Sequence, residues 1–224
     1  MHTNNLALLQ LLRLCSPALP IGSYAYSQGL ESACENDFVH DEDSLAAWIR
    51  GVMQTSMLHL DLPVFARLYD AHYANDLQHV EQWNQFLLAS RETKELHFED
   101  TQTGNALSRL LNNLDIQAAK HWLSNDCTLA TAFSLACTHW QIDKQEALQG
   151  FLWAWCENQI SIGVKLIPLG QTSGQKIISA LISTIEQVVQ ESLLLDDEEL
   201  GASCPGLIMA SMQHEDQYSR LFRS

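Results

Sequence analysis

The sequence predicts an all-α protein, a single-domain bundle of about eight to ten helices. Three observations support this prediction. Apolar residues recur at helical spacing along nearly all of the 224 residues, and strand-like alternation is rare. Only five prolines are present, and none falls between Val64 and Ile167. Hydrophobic residues make up 46% and charged residues 17%, as expected of a globular chain.

The first element is the leucine-rich stretch of residues 6–15. No Lys or Arg precedes it, and Arg13 interrupts it. It is about half as long as a bilayer-spanning helix, and Pro17 and Pro20 stand where a signal peptide would carry small residues for cleavage. We therefore expect a short, largely buried helix.

Helical patterns then continue to residue 189. A helix capped by Asp43 or Ser44 is expected to run toward Pro63, and another begins after that proline. Further helices are predicted over residues 76–88, 91–114, 128–140, about 143–166, and 177–189.

Two local details belong to these helices. Arg91 and Glu95 are spaced for an i,i+4 ion pair. Residues 170–176 contain two glycines and a lysine but lack the spacing of a phosphate-binding loop. We interpret them as a turn, with Thr172 or Ser173 capping the last long helix.

The best break in the chain is the acidic run of residues 196–199, which Gly201 and Pro205 follow. No internal repeat, linker or composition shift marks another boundary. We expect residues 1–200 to form an all-helical core domain. Residues 201–224 are expected to form a C-terminal partner-docking segment that is not an independent domain.

The net charge and the cysteine content narrow the binding partners and the cellular compartment expected for this protein. Twelve Lys and Arg oppose 27 Asp and Glu, for a net charge of −15. This surplus disfavours binding to nucleic acid or to an anionic membrane and suits docking onto a basic protein. The six cysteines are scattered without a CxxC pair, which favours free thiols and the reducing cytoplasm.

The last thirteen residues, 212–224, are aromatic and basic although most of the chain is acidic. Their anchor-type residues are Tyr218, Arg220, Leu221, Phe222 and Arg223. Such residues carry binding energy at protein interfaces. The segment either folds back on its own core or docks onto a partner.

Residues 16–31 form the second unusual region, because two prolines and Gly22 impose a non-helical path between two helices. Tyr24 and Gln28 lie at the entry of the next helix. The region is either a rigid connection whose tyrosines pack locally or an exposed recognition loop.

Motifs for chemistry are missing from the sequence. The nine histidines form no HExxH or other ligand set, and no GxSxG is present. We predict no catalytic, cofactor-binding or metal-binding residues. A catalytic triad assembled from residues far apart in the sequence is still an open alternative. Lys165, at the end of an apolar helix, either favours the helix C-terminus or faces a partner.

Five segments, taken in order from end to end, resemble one family, the urease accessory protein UreF. They are SPALPIGSYAYSQGLE (16–31), SRETKEL (90–96), WAWCENQ (153–159), KLIPLGQTSGQ (165–175) and QYSRLFRS (217–224). The resemblance implies an all-α, dimer-forming cytoplasmic protein with neither enzymatic activity nor a cofactor of its own.

The resemblance also implies partners. Proteins of this family bind a second accessory protein, UreD (also called UreH), recruit the GTPase UreG, and support GTP-dependent nickel insertion into apo-urease. By motif position, Tyr24 and Arg220 would help to hold the GTPase, and Lys165 would lie on the GTPase-facing surface. The full set of implied partner-binding residues is Tyr24, Gln28, Lys165, Tyr218, Arg220, Leu221, Phe222 and Arg223.

Two other functions remain open at this point. One is an all-helical hydrolase with a site built from scattered residues, which predicts a deep pocket holding perturbed titratable groups. The other is direct nickel carriage by His and Cys side chains. We also expect the C-terminal tail to be mobile or partly missing in a structure of the protein alone.

Overall fold

The computed structural model describes residues 5–224 and confirms the all-α prediction. Ten α-helices pack together, and no β-strand occurs within the described range. The helices are α1 (Asn5–Leu14), α2 (Leu30–Glu35), α3 (Glu42–Val52), α4 (Leu62–Tyr73), α5 (Leu77–Ala89), α6 (Lys94–Asn113), α7 (Leu129–His139), α8 (Lys144–Leu166), α9 (Gln171–Ser192) and α10 (Pro205–Glu215). None of the described helices is long and apolar enough to cross a bilayer.

The core is arranged around α4 and α8. Helix α4 packs against α5, α7 and α8, while α8 also packs against α9, α3, α2 and α1. Phe65 of α4, Phe133 of α7 and Phe151 of α8 meet with ring centroids 5.0–6.0 Å apart. At Gly104 of α6, an added Cβ would lie 2.0 Å from the carbonyl oxygen of Cys127, so only glycine allows this close approach.

Most helix starts agree with the sequence, and two caps differ. Asp76, Thr128 and Asp143 cap α5, α7 and α8 through their side chains. Helix α3 is capped by Asp41 rather than by Asp43 or Ser44, with Ser44 forming the other half of a capping box. Helix α9 starts after Gly170, which places the two predicted caps inside its first turn.

The Arg91–Glu95 pair is not formed, because α6 begins only at Lys94 and Arg91 lies outside it. The Arg91 side chain is largely buried and pairs with Asp100 at 2.8 Å and with Asp61 at 2.6 Å. Asp61 ends a π-helical segment (Met53–Asp61) that joins α3 to α4. Arg91 therefore ties α6 to this segment.

The prediction that the first helix is largely buried is wrong. Helix α1 rests on α8 and buries only Ala7 and Leu14. Four of its leucines are 47–68% exposed: Leu6, Leu8, Leu9 and Leu12. A ten-residue helix seated on the outside of one longer helix can cover only one of its own faces.

Candidate functional site

The candidate site is the C-terminal tail, residues 217–224, together with the loop of residues 15–29 that joins α1 to α2, here called the proline loop. The backbones of the tail and the proline loop are hydrogen-bonded to each other. The Ser27 amide donates to the Ser224 carbonyl oxygen at 2.6 Å, and the Arg223 amide donates to the Ala25 carbonyl oxygen at 2.8 Å. The Ser27 hydroxyl also donates to the Ser224 carbonyl oxygen. Two segments nearly 200 residues apart thus form one unit.

Glu31, in the first turn of α2, holds the middle of the tail. The backbone amides of Leu221 and Phe222 donate to its two carboxylate oxygens at 2.7 and 2.9 Å. Glu31 is only 5% exposed, so these bonds form out of contact with bulk water. Charge-assisted hydrogen bonds of this kind are stronger than neutral ones.

His214, at the end of α10, joins two acidic side chains beneath the tail. Its Nδ1 lies 2.8 Å from Glu95 and its Nε2 lies 3.2 Å from Glu31, and the ring is fully buried. Carboxylates accept hydrogen bonds, so either ring nitrogen can donate to its neighbour, and a protonated imidazole would donate to both. Arg220 of the tail adds an ion pair to Glu95 at 2.9 Å.

A buried carboxylate lies under the tip of the tail. Glu99 of α6 accepts a hydrogen bond from the Gln28 side chain at 2.8 Å and from the Ser224 hydroxyl at 3.0 Å. Gln28 in turn accepts from the Trp155 indole at 2.7 Å. Burial raises the pKa of Glu99 to about 7, partly offset by the bonds from Gln28 and Ser224.

The expectation that the tail would be mobile is not met in this structure, because hydrogen bonds hold its backbone at several points. Its side chains behave differently from one another. Phe222 packs against the hydrophobic core. Tyr218 is fully exposed and Leu221 is 79% exposed. The structure therefore combines the two sequence-based alternatives: the tail folds back on its own core and still presents apolar side chains outward.

Helix α10, which precedes the tail, also exposes apolar side chains. On the adjoining helix α10, Met209 and Met212 are 61% and 58% exposed. Methionine adapts its shape to a partner, and tyrosine supplies contact area with little loss of side-chain entropy. We call Met209, Met212, Tyr218 and Leu221 the tail surface.

Tyr24 lies on the proline loop where the loop contacts α8, whereas Lys165 lies on α8 itself. Tyr24 is half-buried, and burial together with the neighbouring Glu157 carboxylate raises its pKa to about 12. Lys165 is exposed and lines a groove of about 360 Å³ between α8 and α9, together with Trp153, Glu157 and Ser161. The structure therefore connects Gln28 to the tail and places Lys165 on a separate groove.

Sequence reasoning missed the residues that hold the tail. Glu31 lies inside the first recognised motif, but its partners are about 190 residues away along the chain. Glu95 was assigned to the wrong partner, and His214 carried no motif. A buried histidine between two carboxylates has no signature in sequence spacing, because the histidine and its two partners come from three separate helices.

No group of three or more His, Cys, Asp and Glu side chains between residues 5 and 224 is arranged to hold a metal ion. The six cysteines are unpaired. Burial raises the pKa of Cys15, Cys127 and Cys156 to about 12 and raises that of Cys137 as well. These thiols stay protonated near neutral pH, which makes them poor ligands and poor nucleophiles.

The fold and the site together define a class: an all-α protein whose folded-back tail exposes apolar side chains. Comparison with known sequences gives the family. The UreF family profile matches residues 39–182. The urease accessory protein UreF of Teredinibacter turnerae is 48% identical over 98% of this chain and 100% of its own length.

Two further relatives cover the chain to the same extent. The urease accessory protein UreF of Hahella chejuensis is 45% identical over 98% of this chain and 99% of its own length. That of Alkalilimnicola ehrlichii is 44% identical over 98% and 96%. The chain belongs to the UreF family of urease accessory proteins.

Proposed function

We propose that this chain is a non-enzymatic scaffold for urease maturation in the cytoplasm. In this proposal it binds a UreD (UreH)-type accessory protein, recruits a UreG-type GTPase, and supports GTP-dependent nickel insertion into apo-urease. Membership of the UreF family supports a role in urease maturation. The observation that carries the proposal is the tail surface, which is apolar, exposed and held on a fixed backbone.

The tail surface is assigned to the UreD-type partner. Binding usually costs free energy because flexible segments must be ordered. Here the hydrogen bonds to Glu31 and Ser27 have already ordered the tail backbone, which reduces that cost. Tyr218 and Leu221 would then contribute binding energy by burying their exposed surface.

We assign binding of the UreG-type GTPase to the proline loop and the residues around it. Tyr24 and Gln28 lie on this loop, and the loop is bonded directly to the tail through Ala25 and Ser27. A partner on the tail surface would therefore steady the loop as well. Arg220 supports the same unit through its ion pair with Glu95.

Homodimer formation is assigned to α8. Trp153, Glu157, Ser161 and Lys165 succeed one another at intervals of four residues and form one ridge, here called the α8 ridge. Neither charge of the ridge has an ion pair within residues 5–224. Burial raises the pKa of the Glu157 carboxyl.

Two such ridges complement each other when they run antiparallel about Ser161. Glu157 and Lys165 are separated by eight residues, or about 12 Å along the helix. In that arrangement each Glu157 meets Lys165 of the second copy, as a twofold axis requires. Tyr24 of both copies would then flank the shared surface, so Lys165 would influence GTPase binding through the dimer.

The scaffold is tested by size-exclusion chromatography with light scattering, mixing the protein with UreD-type and UreG-type partners. The full chain should form a defined complex. A chain ending at Gln217 should keep its helical far-UV signal and remain alone. A shortened chain that still binds would contradict the role of the tail.

One observation favours the hydrolase alternative. Glu99 lines a cavity of about 130 Å³ beneath the proline loop, and its pKa is raised to about 7. Against it, both Glu99 oxygens are engaged by Gln28 and Ser224, and the cavity thiol Cys15 has a pKa of about 12. Turnover of ester or amide substrates by the isolated chain, lost in Glu99→Gln, would revive this alternative.

A further inference from the structure

The segment between α9 and α10, residues 193–204, leads directly into the helix that carries Met209 and Met212 of the tail surface. We call it the α9–α10 connection. Its regular structure is one short 3₁₀ turn, Asp197–Glu199, so neighbouring elements have to hold it in place. Helix α4 and the π-helical segment before it supply the contacts that do so.

Arg67 of α4 makes the first contact. Its Nε atom pairs with Asp197 at 2.5 Å, and its Nη2 atom donates to the Leu195 carbonyl oxygen at 2.8 Å. Its Nη1 atom donates to the Pro63 carbonyl oxygen at 3.0 Å, and the guanidinium lies 5.5 Å from the centre of the Trp83 ring. All three nitrogen atoms are therefore used, in the fixed fork that arginine has and lysine lacks.

The second contact uses a carbonyl that a proline leaves available. In an α-helix, the amide of residue 63 would donate to the carbonyl of residue 59. Pro63 has no amide hydrogen, and the His59 carbonyl oxygen accepts instead from the Gly201 amide at 3.0 Å. Gly201 has a φ of +104°, a backbone conformation that favours glycine. A proline and a glycine thus stand where the helix bonds to the connection.

Helix α10 begins four residues after Gly201 and packs closely against α2 and α6. A Cβ added at Gly29 would lie 2.7 Å from the Ser211 amide nitrogen, and the Ser211 hydroxyl lies 2.8 Å from the Thr93 hydroxyl. Cys204, the residue before α10, provides no side-chain cap. The first turn of α10 therefore depends on the connection for its position.

We propose that Pro63 and Arg67 are positioning residues for the tail surface. Pro63 keeps the His59 carbonyl available to Gly201, and Arg67 holds the acidic turn of the connection. Together they fix the start of α10 and so the position of the tail surface. The effect on partner binding rests on the proposed scaffold function, whereas the anchoring of the connection does not.

The first test is hydrogen exchange in the chain alone, comparing the natural protein with Pro63→Ala. Alanine supplies an amide that competes with Gly201 for the His59 carbonyl. The Gly201 amide should exchange roughly five- to tenfold faster, which corresponds to the net contribution of one hydrogen bond. The Ile208 amide, which bonds to the Cys204 carbonyl in the first turn of α10, should also exchange faster. Unchanged exchange at Gly201 would overturn the proposal.

Pro205→Ala is the matched control, because Pro205 lies in the first turn of α10, where an amide has no intrahelical acceptor. It makes the same chemical change closer to the tail and should leave exchange at Gly201 as in the natural chain. The Leu221 and Phe222 amides, which bond to Glu31, should stay protected in both variants. Equal acceleration at Gly201 in the two variants would contradict competition for a single carbonyl.

Arg67→Gln tests the other contact, and it also keeps the proposal falsifiable if Pro63→Ala does not fold. Exchange at Gly201 should rise several-fold, and Arg67→Lys should behave alike, because it keeps the charge but not the fork. The Asp197 side chain is 69% exposed, so Asp197→Asn should have a smaller effect. Exchange at the natural rate in Arg67→Gln would contradict the role of Arg67.

Binding to the UreD-type partner tests the functional consequence. Pro63→Ala and Arg67→Gln should each weaken binding several-fold while the tail amides stay protected, and Pro205→Ala should bind as the natural chain does. Faster exchange at Gly201 with full affinity would contradict the positioning role. If the natural chain itself does not bind this partner, the scaffold function fails, and the exchange rates still decide whether the connection is anchored as proposed.

Discussion

The tail and the α8 ridge use their charges in opposite ways. Around the tail, Glu31, Glu95, His214 and Arg220 satisfy one another inside the protein. Along the ridge, Glu157 and Lys165 form no ion pair with any residue in the part of the chain that the structure describes. Internal ion pairs fix the shape of a surface, whereas open charges select what binds to it. The tail therefore exposes apolar side chains on a hydrogen-bonded backbone, and the ridge exposes two charges that we propose pair with a second copy of the chain.

The largest expected effect comes from replacing Glu31, the residue at the centre of the contacts that hold the tail. Glu31→Ala leaves the buried His214 ring with one carboxylate fewer and two tail amides without acceptors. Breaking a buried ion pair costs about 3–5 kcal/mol. Urea unfolding should show a loss in that range. Glu35→Ala, in the same helix but exposed, should change stability little, and equal losses would contradict this account.

The second effect is the pH dependence contributed by Glu99. Because its pKa is raised to about 7, its contribution to stability is present at low pH and fades as pH rises through that value. For one proton the slope approaches about 1.4 kcal/mol per pH unit. Unfolding free energies at pH 6 and 8 should differ by about 1 kcal/mol more in the natural chain than in Glu99→Gln. Parallel pH profiles would refute the assignment.

The third effect concerns Arg220, which lies at the solvent-exposed edge of the contacts that hold the tail. Arg220→Ala removes the ion pair to Glu95, but the Arg220 side chain is 35% exposed, so solvent screens much of the interaction. The loss of stability should be about 1 kcal/mol or less. Faster exchange of the C-terminal amides should accompany it. Arg223→Ala serves as the comparison, since its tail contact is made by the backbone amide.

The smallest effect on stability, and the sharpest contrast with the tail, is expected at the ridge. Glu157→Lys and Lys165→Glu should each change the unfolding free energy by no more than about 0.5 kcal/mol. Each should nevertheless weaken the dimer in light scattering. The double exchange should restore it, because the two ridges become complementary again. A double variant as monomeric as the single ones would place the dimer contact elsewhere.

The sequence predicted the class and nearly all of the helices, because helical periodicity and capping residues are local signals. Asp76, Thr128 and Asp143 show this well. The sequence-based prediction failed where contacts between distant parts of the chain determine the structure. Arg91 has a helical partner at the right spacing, yet it pairs with Asp61 and Asp100 because α6 starts later than the periodicity suggests.

Sequence reasoning named exposed residues of the tail but not the residues that hold the tail in place. Tyr218 and Leu221 were identified from composition, and the structure leaves both exposed. Glu31, Glu99 and His214 could not be identified, because each acts through a contact with a residue more than 120 positions away. Local patterns carry no information about such pairs.

The central claim is that the tail is a rigid platform whose exposed side chains bind the UreD-type partner. The most direct measurement is the affinity of that partner for Tyr218→Ser/Leu221→Ser, together with the exchange of the tail amides. The account predicts unchanged amide protection and at least a tenfold loss of affinity. Leu194→Ser, a change at another exposed leucine, should have no effect. Full affinity in the double variant would contradict the claim.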